Sequence, residues 1–239
     1  MENIVITIKD VLSLFDDIKK ELATELRQRN INKKRVIIFY DLLKRIKSNI
    51  YTISIIEDNG KNLLAPKNLL YRNVLSDLIE GLYLLSRDTE QFEKGIQSLD
   101  LAHAKFIKDA LIIRTELYKK VSHKDENEKL QVFMNEYYDK VQCYLTSPKG
   151  AEWEFIRMSG SFSIRDMSNA LKNDSNESLK QFYFLYHYYR LFSQTEHYTL
   201  LGREYSFFLN ENIYSEVLAI IYCGMNEMSK LIINENAEH

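Results

Sequence analysis

Proline and glycine are scarce in this 239-residue chain, two and seven in all, so turns are few and the elements between them long. The only cysteines, Cys143 and Cys223, allow neither a disulfide framework nor a CxxC metal or redox motif. Both thiols are expected to be unpaired, in a reducing compartment. No uncharged apolar run approaches the roughly 18 residues that a membrane span requires. The first ten residues carry Glu2 and Asp10 and lack the basic-then-apolar order of a secretion signal, so cytoplasmic residence is expected. An excess of one charge is missing too. Lys and Arg number 32 against 34 Asp and Glu, a formal net charge of −2, which excludes the domain-wide basic surface that binding through many phosphates needs. Neither DNA nor a membrane is expected as a partner. The GxxxxGK[ST] phosphate loop, the GxGxxG turn, the GxSxG elbow and HExxH are all absent, which removes the common nucleotide-dependent and hydrolase mechanisms.

What is present is an apolar pattern of helical period. With 45% hydrophobic and 28% charged residues the chain can bury one sizeable core, and residues 1–239 read as a single domain. Thr7 with Asp10 forms a helix cap, after which Val11, Phe15, Ile18, Leu22 and Leu26 recur three and four residues apart. A second helix follows Asn32 with Val36, Phe39, Tyr40, Leu43, Ile46, Ile50 and Ile53 on one face, and Tyr51 to Ile56 is β-branched enough to be extended. Asp58, Asn59 and Gly60 stop it, and Pro66 marks the start of a third helix rich in leucine from Leu69 to Leu85. A long fourth helix runs from about Thr89 to Lys120 with Phe92, Ile96, Leu99, Ile107, Leu111 and Leu117 inward, and a fifth spans about Leu130 to Leu145. Ser163 and Asp166 cap a short helix to about Lys172, Glu177 opens an aromatic helix to about His197, and Ile213 to Ile233 forms the last. The fold class expected is an all-α, single-domain multi-helix bundle. The third helix and the aromatic helix are expected at its centre. Gly81, Gly95 and Gly224 fall inside helices, where close approach of a neighbour is the expected compensation for a cost of about 1 kcal/mol each.

One constellation stands out. Gln181 to Tyr198 reads QFYFLYHYYRLFSQTEHY, apolar or aromatic almost all round except for a stripe at spacings of four, three, four and three: Tyr183, His187, Arg190, Gln194 and His197. Histidine transfers protons near neutral pH and arginine holds phosphate or developing negative charge. The plainer reading is the wet side of an amphipathic helix. On the third helix Arg72, Ser76, Glu80 and Tyr83 line up beside the leucine core, and a buried Arg or Glu there calls for a partner. Asp100 and His103 have DxxH spacing, but no other histidine has an acid three residues before it, so no di-metal bundle site, and no cofactor, is expected.

Two resemblances follow from these residues. YRNVLSDLIEGLYLL, SIRDMSNALKND and YFLYHYYRLFSQTEH together, across Leu69 to Tyr198, resemble a family of uncharacterised helical bacterial proteins with an early Arg-Leu-Glu helix and a late Tyr, Ser and His signature. Arg190 and His197, with six residues between them, are similar to the Arg, four to six residues, His motif of HEPN domains, many of which are metal-independent ribonucleases of toxin and antiviral systems. The residue after the arginine is commonly polar in that family and is Leu191 here. The resemblance implies that His197 assists attack of an RNA 2′-hydroxyl on the adjacent phosphate while Arg190 stabilises the charge. It also implies a site formed by a homodimer, with RNA as partner. The cations Arg27, Arg29, Lys33, Lys34, Arg35, Lys44, Arg45 and Lys47, set against Asp41 alone, offer an RNA contact or an ordinary solvated face. The competing expectation is a non-catalytic helical module that binds a protein or small ligand through the stripe.

Overall fold

The computed structural model describes residues 5–28, 33–59, 63–120, 142–144, 163–194 and 211–234, with isolated positions at 128, 132, 135, 136 and 138. Among the described residues every regular element is helical. They are α1 (Ile8–Gln28), α2 (Lys33–Asp58), α3 (Leu64–Leu85), α4 (Thr89–Lys120), α5 (Ile164–Lys172), α6 (Glu177–Lys180), α7 (Leu185–Gln194) and α8 (Glu211–Asn234), with 3₁₀ segments at Gln142–Tyr144 and Gln181–Phe184. The chain divides into two compact units, Met1–Asp88 with Ser163–His239, and Thr89–Phe162. No described helix is long and apolar enough to cross a membrane.

The helix starts follow from local hydrogen bonding. Thr7 N donates to Asp10 Oδ2 at 2.8 Å while Asp10 N donates back to Thr7 Oγ1 at 3.3 Å, a reciprocal cap that satisfies two otherwise orphaned amides. Ser163 and Asp166 make the same box at α5, and the Asn173–Asn176 turn ends by capping α6 through Asn176. The β-branched run at 51–56 stays helical to Asp58. Its Ile53 is fully buried, and tertiary packing overrides the weak local preference. The expected cap at Asn32 and most of the expected fifth helix lie outside the described residues.

In the first unit α3 is the axle, packed by α2, α5, α7 and α8, and α1 closes on α2 and α8. Its Val74, Leu75, Leu78, Ile79 and Leu82 are wholly buried, so the burial goes round the helix rather than along one stripe. Leu69 is the exception to the expected face and is 41% exposed. The rings of Tyr71, Phe192 and Tyr214, with centroids 5.4–6.0 Å apart, bring α3, α7 and α8 together through offset aromatic packing. The last helix shares the centre: Val217, Ile221, Met225, Met228 and Ile232 are fully buried. The aromatic helix sits further out than expected, since only Leu185 and Phe192 of α7 are buried. In the second unit, α4 buries Phe92, Leu101 and Ala104, whereas Leu117, expected inward, is exposed.

A helix buried all round must still satisfy its last carbonyls. Arg35, at the start of α2, donates from Nη1 to Leu85 O at 3.3 Å and from Nη2 to Arg87 O at 2.6 Å. Arg87 donates from Nε to Tyr83 O at 3.3 Å and pairs with Asp174 in the α5–α6 turn. Two guanidinium groups thus close the carboxyl end of α3, where positive charge also meets the negative end of the helix dipole.

Gly81 and Gly224 mark where helices approach closely. A Cβ on Gly81 would stand 2.4 Å from Met228 Cε and 2.9 Å from its Sδ, and one on Gly224 would stand 3.1 Å from Leu78 Cδ2. Replacing Gly81 by Val should overpack the α3–α8 contact and cost about 1–3 kcal/mol, read as a lower urea midpoint with unchanged m-value. An unaltered midpoint would mean that the two helices do not meet at this point.

Candidate functional site

The 3₁₀ segment at Gln181–Phe184 interrupts what the sequence presents as one continuous helix and sets how the following side chains are aimed. Phe182 turns inward and is buried, whereas Phe184 is 50% exposed and Tyr183 is 37% exposed. On α7, His187 and Arg190 are both exposed, one turn apart, and Gln194 is half-buried. Tyr183, His187 and Arg190 therefore share an outer face, as their spacing implies. His187 stands edge-on to Tyr188 with centroids 6.1 Å apart. His197 lies outside the described residues, so the described stripe ends at Gln194.

Arg72 does not join that face. Its Nη2 donates to Tyr189 Oη at 3.4 Å, and its guanidinium carbon lies 5.4 Å from the Tyr189 ring centroid, so it ties α3 to α7. Glu80 accepts from Ser76 Oγ at 3.4 Å on its own helix. The fully buried acid is its neighbour Asp77, 0% exposed, which sequence reasoning passed over. Arg45 Nη2 approaches Asp77 Oδ1 to 2.6 Å, yet among the described residues neither carboxylate oxygen accepts a hydrogen bond. Burial pushes Asp77 up to about 7, Arg45 working against the rise and Glu80 adding to it. Burial raises Glu80 as well, offset by Arg45 and Ser76.

The basic cluster between Arg27 and Lys47 is largely committed elsewhere. Arg35 is buried at the end of α3, Arg45 faces Asp77, Lys47 binds Asp16 at 2.9 Å, and Lys44 lies 3.7 Å from Asp41. Lys33 and Lys34, like Lys44 and Arg45, are exposed; Arg29 and the side chain of Arg27 lie outside the described residues. Asp100 and His103 are exposed on α4, and no group of three or more His, Cys, Asp or Glu side chains converges among the described residues.

The feature that sequence reasoning missed is a cavity of about 460 Å³ between the 3₁₀ segment, α7 and α8, lined by Gln181, Phe182, Phe184, Tyr188, Ala219, Ile220 and Cys223. No family model, curated protein or solved structure matches the chain. Ala219 and Cys223, small side chains one turn apart on α8, leave space opposite two phenylalanines; the 3₁₀ turn holds Phe184 at the opening. Small residues at i and i+4 facing an aromatic run were the legible signal. Their meaning depended on pairing α8 with a segment about 40 residues earlier, which periodicity does not supply. Tyr188 Oη donates to Glu216 Oε2 at 2.9 Å, and burial, followed by that carboxylate, raises the phenol above its ordinary range. Further along α8, Glu227 Oε1 accepts from Ser178 Oγ at 2.6 Å. Cys143 and Cys223 are both free and exposed, as expected for unpaired thiols.

Asp77 generates a pH dependence. The folded state keeps its proton up to about pH 7, whereas the unfolded chain releases it near 3.8. Between these values the folded state binds more protons, so this group's contribution to stability falls as pH rises. Asp77→Asn should remove that slope and gain on wild type by about 1–4 kcal/mol between pH 4 and 8, measured by denaturant unfolding at several pH values. Parallel curves for the two proteins would show that Asp77 ionises normally.

Proposed function

We propose that this chain is a non-catalytic helical module that binds a ligand in the cavity between the 3₁₀ segment, α7 and α8. The observation that carries the reading is the cavity itself. Its volume of about 460 Å³ and its mainly apolar and aromatic lining with few polar groups are the properties of small-molecule sites, which run to about 300–1,000 Å³. The walls stand on helices rather than loops, and α7 and α8 both pack on α3, so the shape is set before a ligand arrives. Exposure of Phe184 fits an aromatic side chain kept for contact rather than for the core.

Filling the space decides the matter. A panel of small aromatic compounds should raise the melting temperature of the wild type, and Ala219→Trp should abolish the shift while the fold, judged by circular dichroism, persists. Equal shifts in both proteins would remove the cavity from consideration.

A second reading, the HEPN-like metal-independent ribonuclease with Arg190 and His197 as its catalytic pair, draws support from one observation. Arg190 is exposed beside His187 on α7 and has no ion-pair or hydrogen-bond partner among the described residues. Its guanidinium is thus available to a phosphate. In that case His197→Ala should reduce cleavage of RNA in chelator by about 10² or more, the usual contribution of a general acid or base. Arg190→Ala should act similarly, with the double variant losing less than the product of the two. Absence of cleavage by the wild-type protein across varied RNAs would end this reading.

A further inference from the structure

The charged groups around the cavity differ in how far their charge is met. Among the described residues its lining contains no lysine or arginine. At its edge the Tyr188 hydroxyl holds the exposed Glu216 carboxylate at 2.9 Å, and Glu216 has no basic partner among the described residues. The next carboxylate along α8, Glu227, is different. It already receives Ser178 at 2.6 Å and has Lys230 Nζ 3.5 Å from its second oxygen, so its charge is largely met. The nearby ammonium groups are engaged too: Lys180 with Glu177 and Lys172 over the Tyr183 ring, 5.4 Å from its centroid. Among the described residues, an anion entering this space would meet a carboxylate with no cationic partner and no uncommitted ammonium or guanidinium group.

The walls favour a cation on independent grounds. Phe184 and Tyr188 present aromatic rings to the same space, beside the buried Phe182. A ring face carries negative electrostatic potential and attracts an ammonium group placed within about 6 Å of it, by about 0.5–2 kcal/mol. Phe184, half-exposed and with its ring centroid 4.1 Å from that of Tyr183, extends this aromatic surface to the opening. Opposite it, Ala219, Ile220 and Cys223 give a short aliphatic floor against which a flat hydrocarbon body can lie.

Resting on the reading of the chain as a ligand-binding module, we propose that the cavity takes a small organic cation, an aromatic or aliphatic body bearing an amine, with the body between Phe182, Phe184 and Ile220 and the ammonium group at Glu216 beside the Tyr188 ring. Glu216 sets the preference for charge; the apolar walls supply the affinity that any uncharged analogue shares.

The test uses three probes with one body: naphthylmethylammonium, naphthylmethanol and naphthoate. Binding is followed by calorimetry and by the rate at which maleimide labels Cys223 in a Cys143→Ser background, so that protection reports occupancy of this cavity. The ammonium compound should bind about tenfold more tightly than the alcohol, naphthoate most weakly, and only the cation should show a strong dependence on salt. Glu216→Gln should bring the ammonium compound down to the affinity of the alcohol and leave the alcohol unchanged. Equal affinities for the three probes, or a preference for the cation that survives Glu216→Gln, would overturn the proposal while the cavity remains a ligand site, provided Ala219→Trp still blocks the alcohol. Should none of the probes protect Cys223, both this proposal and the ligand-binding reading fail. Concentration-dependent dimerisation abolished by Ala219→Trp in sedimentation would instead assign the cavity to a second copy of the chain and overturn the small-cation proposal.

Discussion

The arrangement of the first unit depends on closing the carboxyl end of α3. A helix covered over most of its circumference gains a great deal from apolar burial, yet its last turn leaves carbonyl groups that no further helical amide reaches. Leaving such groups dry costs about 1–3 kcal/mol each. Arg35 and Arg87 answer this with planar, permanently charged donors, and each answer fixes a neighbour. Arg35 sets where α2 begins beside the end of α3. Arg87 reaches the Asp174 carboxylate and so anchors the α5–α6 turn, from which the 3₁₀ segment and α7 run on. The wall of the cavity is therefore tethered through hydrogen bonds at the carboxyl end of the helix that it packs against.

Much of this fold was legible in the sequence because it depends on local rules. The boxes Thr7/Asp10 and Ser163/Asp166, the stop at Asp58 to Gly60 and the leucine-rich α3 are all decided within one or two turns. Gly81 and Gly224 announced close helix contact before any neighbour was known, and Met228 and Leu78 proved to be those neighbours. Periodicity served less well on α4, where Leu117 is exposed while Leu101 and Ala104 are buried. A long helix with apolar residues on several faces does not state which face is covered. The centre also moved: α8 carries the buried weight that the aromatic composition of the α7 region suggested for that helix.

The candidate site was legible only in its outer half. Spacing put Tyr183, His187 and Arg190 on one face, because helical rotation is a local property. The cavity on the other side needed two facts that spacing cannot hold: that residues 181–184 wind as 3₁₀, and that Ala219 and Cys223 stand opposite them. The basic run at the start of α2 illustrates the reverse case. It was conspicuous as a charge cluster, but Arg35 and Arg45 find partners on or just past α3 and Lys47 finds one on α1. Asp77, hidden among leucines, was inconspicuous and is the acid with the most unusual surroundings.

The order in which the partners of α3 are synthesised has a consequence for the nascent chain. Tyr214 of α8 hydrogen-bonds Asn68, which precedes it by 146 residues, and Arg72 meets Tyr189, 117 residues later. At about 5–20 residues per second, α3 and its hairpin partner α2 leave the ribosome on the order of ten seconds before the helices that cover them. During that interval Tyr71, Val74 and Leu78 have no permanent shelter. The interval is long enough for chaperones to engage the chain, and the yield of folded protein will be sensitive to how fast the second half is translated.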